Sequence, residues 1–146
     1  MLEHEHIIKF YGAFVPTNEE IENSDWEDDA TSLKPFLVFE LLSETLNDLI
    51  KAGNRKLSFP LAIHFAYQIS KAIFFLHSMA LVHRDIKPSN IVVFLISSSD
   101  IEIDRSQSVA KLIDFGESRI LAMSEPLTNV GTPFYVSPEG FLHGEY

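Results

Sequence analysis

His83-Arg84-Asp85-Ile86-Lys87-Pro88-Ser89-Asn90 is a polar block set between two short apolar segments, Leu81-Val82 before it and Ile91-Val92-Val93-Phe94 after it. Such a loop between apolar strands is how a rigid scaffold presents reactive side chains. The block offers a carboxylate at Asp85, a cation two residues on at Lys87 and an amide five residues on at Asn90. Singly, each reads as a surface polar group, and Asp85 or Asn90 as the cap of a turn. Together they supply a proton acceptor, a charge to set against an anion and a hard oxygen ligand for a metal ion.

Working outward, Ser58 is placed to cap a long helix. Leu61, Phe65, Ile69, Ile73 and Leu76 recur along it at helical spacing, and Ala62, Ala66 and Ala72 permit close packing. Ser43 is expected to cap a shorter helix carrying Leu46, Leu49 and Ile50, which Gly53 ends. Two strands come earlier. Ile7 to Val15 is apolar and aromatic and stops at Pro16; Phe36 to Phe39 is wholly apolar and is expected to be buried on both faces. Downstream, Ile91 to Phe94 and Val109 to Ile113 form a strand pair joined by the polar stretch Ser97 to Ser108, read as a mobile hairpin loop. From Phe115 onward the chain is irregular, punctuated by Gly116, Pro126, Gly131, Pro133 and Pro138.

Bulk properties narrow the class. The chain has 146 residues, 46% of them apolar, enough for one domain with a core. Its longest apolar run, Ile91 to Ile96, is strand length, well short of the roughly 20 residues of a membrane helix. The start, Met1-Leu2-Glu3-His4-Glu5-His6, has no basic residues followed by an apolar stretch, which argues against a secretory signal. The absence of cysteine excludes a disulfide scaffold and cysteine-ligated metal and fits a cytoplasmic, intracellular setting. A net charge of −10 provides no basic surface for nucleic acid. The charge concentrates in Glu19, Glu20, Glu22, Asp25, Glu27, Asp28 and Asp29, which read as a solvated loop or as a docking strip for a basic partner.

Three blocks occur in a set order: His83 to Asn90, then Asp114-Phe115-Gly116, then Gly131-Thr132-Pro133-Phe134-Tyr135-Val136-Ser137-Pro138-Glu139. A helix ending in Phe75-Leu76-His77-Ser78 precedes them. This set resembles the eukaryotic protein kinases. The resemblance implies an α+β, protein-kinase-like fold and transfer of the γ-phosphate of ATP, with Mg²⁺, to protein hydroxyls. It implies that Asp85 accepts the substrate proton, that Lys87 touches the γ-phosphate and that Asn90 and Asp114 hold metal. It gives Glu40 and Leu42 backbone bonds to the adenine edge, makes Val92 and Leu42 lining of the adenine pocket, and puts Phe39 at the gatekeeper position. His83, Phe115 and Phe10 become members of a packed spine, and His4 and His6 turn residues. Lys87 so close after Asp85, together with Thr132 as the threonine that bonds the catalytic aspartate, is similar to the serine/threonine class. Ser137 in place of the commoner alanine, the four-residue spacing of Ser124 and Thr128, and the strand Ile7 to Phe14 resemble MAP-kinase kinases in particular. Arg84 beside Asp85 implies control by phosphate on Thr128 or Ser124. The partners implied are a protein substrate and an upstream activating kinase.

The resemblance covers residues 1–146: the end of the small lobe over 1–39, with the acidic loop at 17–34, then hinge, catalytic loop and activation segment over 40–146. The family's glycine-rich loop, strand lysine and helix glutamate have no counterpart in these residues, nor do the lower helices of the large lobe or the arginine that pairs with Glu139. Two readings follow. One is a serine/threonine kinase represented by a fragment, itself expected to be inactive; the other is a catalytically inactive kinase remnant acting as a binding or scaffold module. Retention of Asp85, Lys87, Asn90 and Asp114 favours an active parent.

Overall fold

The computed structural model of the chain describes residues 2–17, 34–41, 43–52, 57–96, 104, 106–121 and 132–138. Strands β1 (Phe10–Phe14) and β2 (Phe36–Phe39) pair antiparallel, Phe10 opposite Phe39 and Phe14 opposite Phe36. β1 starts later than its apolar run suggests. The Ile7 N–H closes a turn onto the His4 carbonyl at 3.1 Å, and Ile7 and Ile8 are buried beside the strand ending at Leu112 instead of extending β1. This turn contains His6, as expected. β2 lacks the two buried faces expected of it, with Phe36 55% and Leu37 61% exposed. Among the described residues it pairs only with β1, as a two-stranded sheet with no covering layer.

The second sheet carries the core. Its order is β3 (Glu44–Thr45), β5 (Ile91–Phe94), β6 (Val109–Leu112), antiparallel throughout. Helix α1 (Leu46–Lys51) follows β3 directly, so its cap is Thr45 and not Ser43. Thr45 Oγ1 accepts the Asp48 N–H at 3.1 Å and the Asp48 carboxylate accepts the Thr45 N–H at 3.2 Å, a reciprocal capping box. The helix closes at Ala52; Gly53 lies outside the described residues.

Helix α2 (Phe59–Ser78) begins where expected, the Ser58 hydroxyl accepting the Leu61 N–H and Pro60 lying in the first turn. Leu61, Phe65, Ile69, Ala72 and Leu76 are buried in one core with Leu49, Ile91, Val93, Ala110 and Leu112. Each large side chain so removed from water contributes about 1.5–3 kcal/mol before entropy is charged against it. The helix is long and apolar enough to cross a membrane by length and composition alone. Here its apolar stripe lies on β6, and its polar residues His64 and Gln68 hydrogen-bond into the same strand region.

That bonding solves an edge problem. β6 is an outer strand, and unpaired edge amides are a liability. The Ala110 N–H donates to Gln68 Oε1 at 2.7 Å and the Ala110 carbonyl accepts from His6 Nδ1 at 3.1 Å. The Leu112 N–H reaches the His6 carbonyl, and the Ile8 N–H reaches the Leu112 carbonyl. Gln68 Nε2 also donates to the Ser108 carbonyl at 3.1 Å. Ser108 is wholly buried, its hydroxyl donating to the Asp104 carbonyl and accepting the Ile96 N–H. The end of the Ser97 to Ser108 stretch is therefore pinned to the core; residues 97–103 and 105, which make up most of the loop expected to be mobile, lie outside the described residues.

A third, two-stranded pairing was not legible in sequence. β4 (Leu81–Val82) pairs with β7 (Arg119–Ile120), so the chain enters the polar block from one strand of a ladder and returns past Asp114 on the other.

Replacing Gln68 by leucine should strand the Ala110 N–H inside the core and leave the Ser108 carbonyl with His64 Nε2 in place of two side-chain contacts. The expected loss is about 1–3 kcal/mol in urea unfolding of the domain. Ser70→Ala, on the exposed side of α2, should stay within about 0.5 kcal/mol.

Candidate active site

Three residues make four contacts with one carboxylate. Asp85 is 7% exposed. Its Oδ1 accepts the Thr132 N–H at 3.1 Å and the Thr132 hydroxyl at 2.8 Å. Its Oδ2 accepts Asn90 Nδ2 at 2.9 Å and meets the Lys87 ammonium at 2.6 Å. Lys87 Nζ also donates to Thr132 Oγ1 at 2.7 Å, closing a ring of contacts across 45 positions of sequence. The single-turn 3₁₀ segment Pro88–Asn90 swings Asn90 back onto the loop, where Nδ2 also bonds the Asp85 carbonyl at 2.9 Å. Burial pushes the Asp85 carboxyl up, but the Lys87 and Thr132 contacts and the Asn90 amide outweigh it and hold the group below the ordinary aspartate range.

His83 fastens this loop to the next block. The Asp85 N–H donates to His83 Nδ1 at 3.3 Å, so Nδ1 is the acceptor and Nε2 carries the proton that bonds the Ile113 carbonyl at 3.0 Å. Burial pushes the His83 pKa down against the pull of that carbonyl and of Asp85, which keeps the ring neutral in this role. Its edge meets the ring of Phe115 with centroids 5.0 Å apart, the packing expected of the spine. Phe10, expected there too, packs against Phe39 with the rings tilted by 54° and their centroids 5.4 Å apart.

Asp114 arrives by the same linkage. The Ile113 N–H donates to the Asn90 carbonyl at 2.9 Å, tying the residue before Asp114 to the residue expected to share its metal. The Asp114 side chain is exposed, and its Oδ1 accepts the Gly116 N–H at 3.2 Å. A Cβ at Gly116 would sit 3.2 Å from that same oxygen, so glycine keeps the approach open. Asn90 Nδ2 is committed to Asp85, which leaves its carbonyl oxygen as the remaining ligand atom. Two hard oxygens from Asn90 and Asp114 suit Mg²⁺, which binds few protein ligands and keeps its waters.

Backbone strain concentrates here. The non-glycine residues with positive φ among those described are Ala80 at 54°, Arg84 at 66° and Asp114 at 61°. Ala80 closes α2 in the left-handed position common at helix ends. The other two flank the carboxylates, each costing on the order of 1–3 kcal/mol, where strain is held because surrounding contacts over-determine it. Arg84 Nε donates to the Glu117 carbonyl, joining the loop of residues 83–90 to the segment after Gly116.

The remaining sequence-derived positions divide. Val92 is 1% exposed and sits opposite Lys111 in the β5–β6 ladder, so it shares a face with Lys111 and not with the core residues Ile91 and Val93. Glu40 follows β2; its N–H donates to the Lys9 carbonyl at 2.9 Å. Leu42, Ser124 and Thr128 lie outside the described residues, as do Gly131 and Glu139. Sequence reading missed the partner of Glu40, the Lys111 ammonium, which reaches both carboxylate oxygens at 2.6 and 2.7 Å. The available signal was a single charge inside the apolar strand Val109-Ala110-Lys111-Leu112.

Comparison with known proteins agrees with this geometry. The protein kinase domain family matches residues 1–146. A probable serine/threonine-protein kinase of Dictyostelium discoideum is 32% identical over 144 residues, covering 95% of this chain and 9% of the relative. Mitogen-activated protein kinase 5 of Arabidopsis thaliana is 32% identical over 143 residues, covering 97% and 32%. Cyclin-dependent kinase-like 2 of Rattus norvegicus is 39% identical over 107 residues, covering 71% and 19%. The chain spans less than a third of the length of each of these relatives. With its α+β fold and its three motif blocks in order, the chain belongs to the protein kinase family.

Proposed function

We propose that the protein is a serine/threonine protein kinase that uses Mg²⁺ and ATP, with Asp85 as its catalytic base. The observation that carries this is the four-sided hold on the Asp85 carboxylate by Lys87, Asn90 and Thr132. ATP supplies the γ-phosphoryl group, and the metal ions neutralise its charge; Asn90 and Asp114 are the residues that would hold them. Phosphoryl transfer then asks the protein mainly for position and electrostatics. A depressed pKa makes Asp85 a weak base, so its first task is to orient the substrate hydroxyl, accepting the proton once transfer has made that hydroxyl acidic. Lys87, beside Asp85, offsets negative charge gathering on the transferred group. Thr132 bonded to Asp85 ties the activation segment to the catalytic loop and supports a serine or threonine acceptor. Glu40, Leu42 and Val92 would bind the adenine.

The same site suits control by phosphorylation. Arg84 precedes Asp85, and its guanidinium already bonds the segment after Gly116 through Glu117. A phosphate on Thr128 or Ser124 would bring about −1.5 to −2 charges and acceptor oxygens suited to a guanidinium. An upstream kinase would supply it. A non-catalytic scaffold is the competing reading; an intact Asp85 cluster favours the enzyme.

In the whole protein, Asp85→Asn should lower phosphoryl transfer by roughly 100- to 10,000-fold with nucleotide binding nearly unchanged; native turnover in that variant would defeat the assignment. Thr128→Ala combined with Ser124→Ala should leave a poorly active enzyme that an upstream kinase cannot stimulate. Full activity in the double variant would remove this loop as the switch.

A further inference from the structure

Lys111 is the one charged residue of β6, and it is not at the surface: its side chain and that of Glu40 are each 19% exposed. The ammonium contacts both Glu40 oxygens at 2.6 and 2.7 Å. Glu40 Oε1 accepts a further hydrogen bond from the Lys9 N–H at 2.7 Å, while the Glu40 N–H donates to the Lys9 carbonyl at 2.9 Å. One carboxylate thus joins the approach to β1, the exit from β2 and the middle of β6. The β1–β2 sheet and the β3–β5–β6 sheet share no strand, so this pair is a direct side-chain tie between them. Lys111 faces Val92 across the ladder and lies three residues before Asp114.

Desolvating two charges gives little net stability, and an apolar residue beside Val92 would pack there at lower cost. What a doubly contacted pair does provide is geometry, since loss of either partner leaves a half-buried charge unmatched. We infer that the Glu40–Lys111 ion pair positions the nucleotide site, holding the segment that meets adenine at a set distance from the strand that delivers Asp114. This role rests on the kinase reading. Glu40 and Lys111 act through the backbone they hold and are positioning residues. The occupant they serve is the adenosine end of ATP, so its signature falls on nucleotide affinity and not on the chemical step.

The test uses the whole protein with Lys111→Met, Glu40→Gln and Lys111→Arg, the last retaining a cation for Glu40. Lys111→Met and Glu40→Gln should each raise KM for ATP about tenfold with kcat within about threefold, and Lys111→Arg should recover most of the loss. Amide hydrogen exchange without nucleotide should quicken over residues 9–14 and 36–40 in Lys111→Met and stay unchanged over 85–90. A general loss of stability would instead speed exchange in both regions and would overturn the inference. So would an unchanged KM, or a rise equally large in Lys111→Arg. If the unsubstituted protein transferred no phosphate from ATP, the kinase reading itself would fall and take this role with it.

Discussion

The Asp85 carboxylate, held from four sides, is the point on which the rest of this structure depends. Thr132 donates twice to one oxygen, and Lys87 and Asn90 approach the other. A buried carboxylate is costly unless matched by donors, and here the match draws on two distant segments. Remove it and the Asn90 amide is left with the Asp85 backbone carbonyl, while the Thr132 hydroxyl is left with the Lys87 ammonium, so the loop and the segment at Thr132 lose their shared centre. The core beneath, α2 packed on β5 and β6, serves to present this loop at a defined height.

Beyond the carboxylate, side chains supplement backbone pairing at the outer strand β6 and at the loops that join it. Gln68 and His6 stand in for a missing neighbour of β6, His83 joins its own loop to Ile113, and Ser108 gathers the return from the β5–β6 connection. These are buried polar contacts with both partners satisfied, the condition under which they specify one arrangement instead of weakening the core. They link the residues that would carry the chemistry to the helix that gives the domain its stability.

Much of this was legible in the sequence. α2 was readable because its apolar residues keep one period for five turns and Ser58 marks its start. The candidate site was readable because Asp85, Lys87 and Asn90 stand at characteristic spacing and the Asp114 and Thr132 blocks follow in order. Where reading failed, the reason was tertiary. Ser43 and Thr45 are both competent caps, and pairing of β3 with β5 decides between them. The apolar run of β2 promised burial, but burial needs a covering layer, and the described residues supply only β1. β4 and β7 are two residues each, too short to show a period. The Lys111 partner lies 71 positions away, beyond any local pattern.

The central claim is that Asp85 and its neighbours form the active site of a kinase acting on serine or threonine. The most direct measurement is mass-spectrometric mapping of the phosphate that the whole protein transfers from isotopically labelled ATP to a panel of protein substrates in Mg²⁺. Labelled phosphate on serine or threonine hydroxyls is the predicted result. Label confined to tyrosine, or no label on any hydroxyl from a protein that binds ATP, would contradict the account.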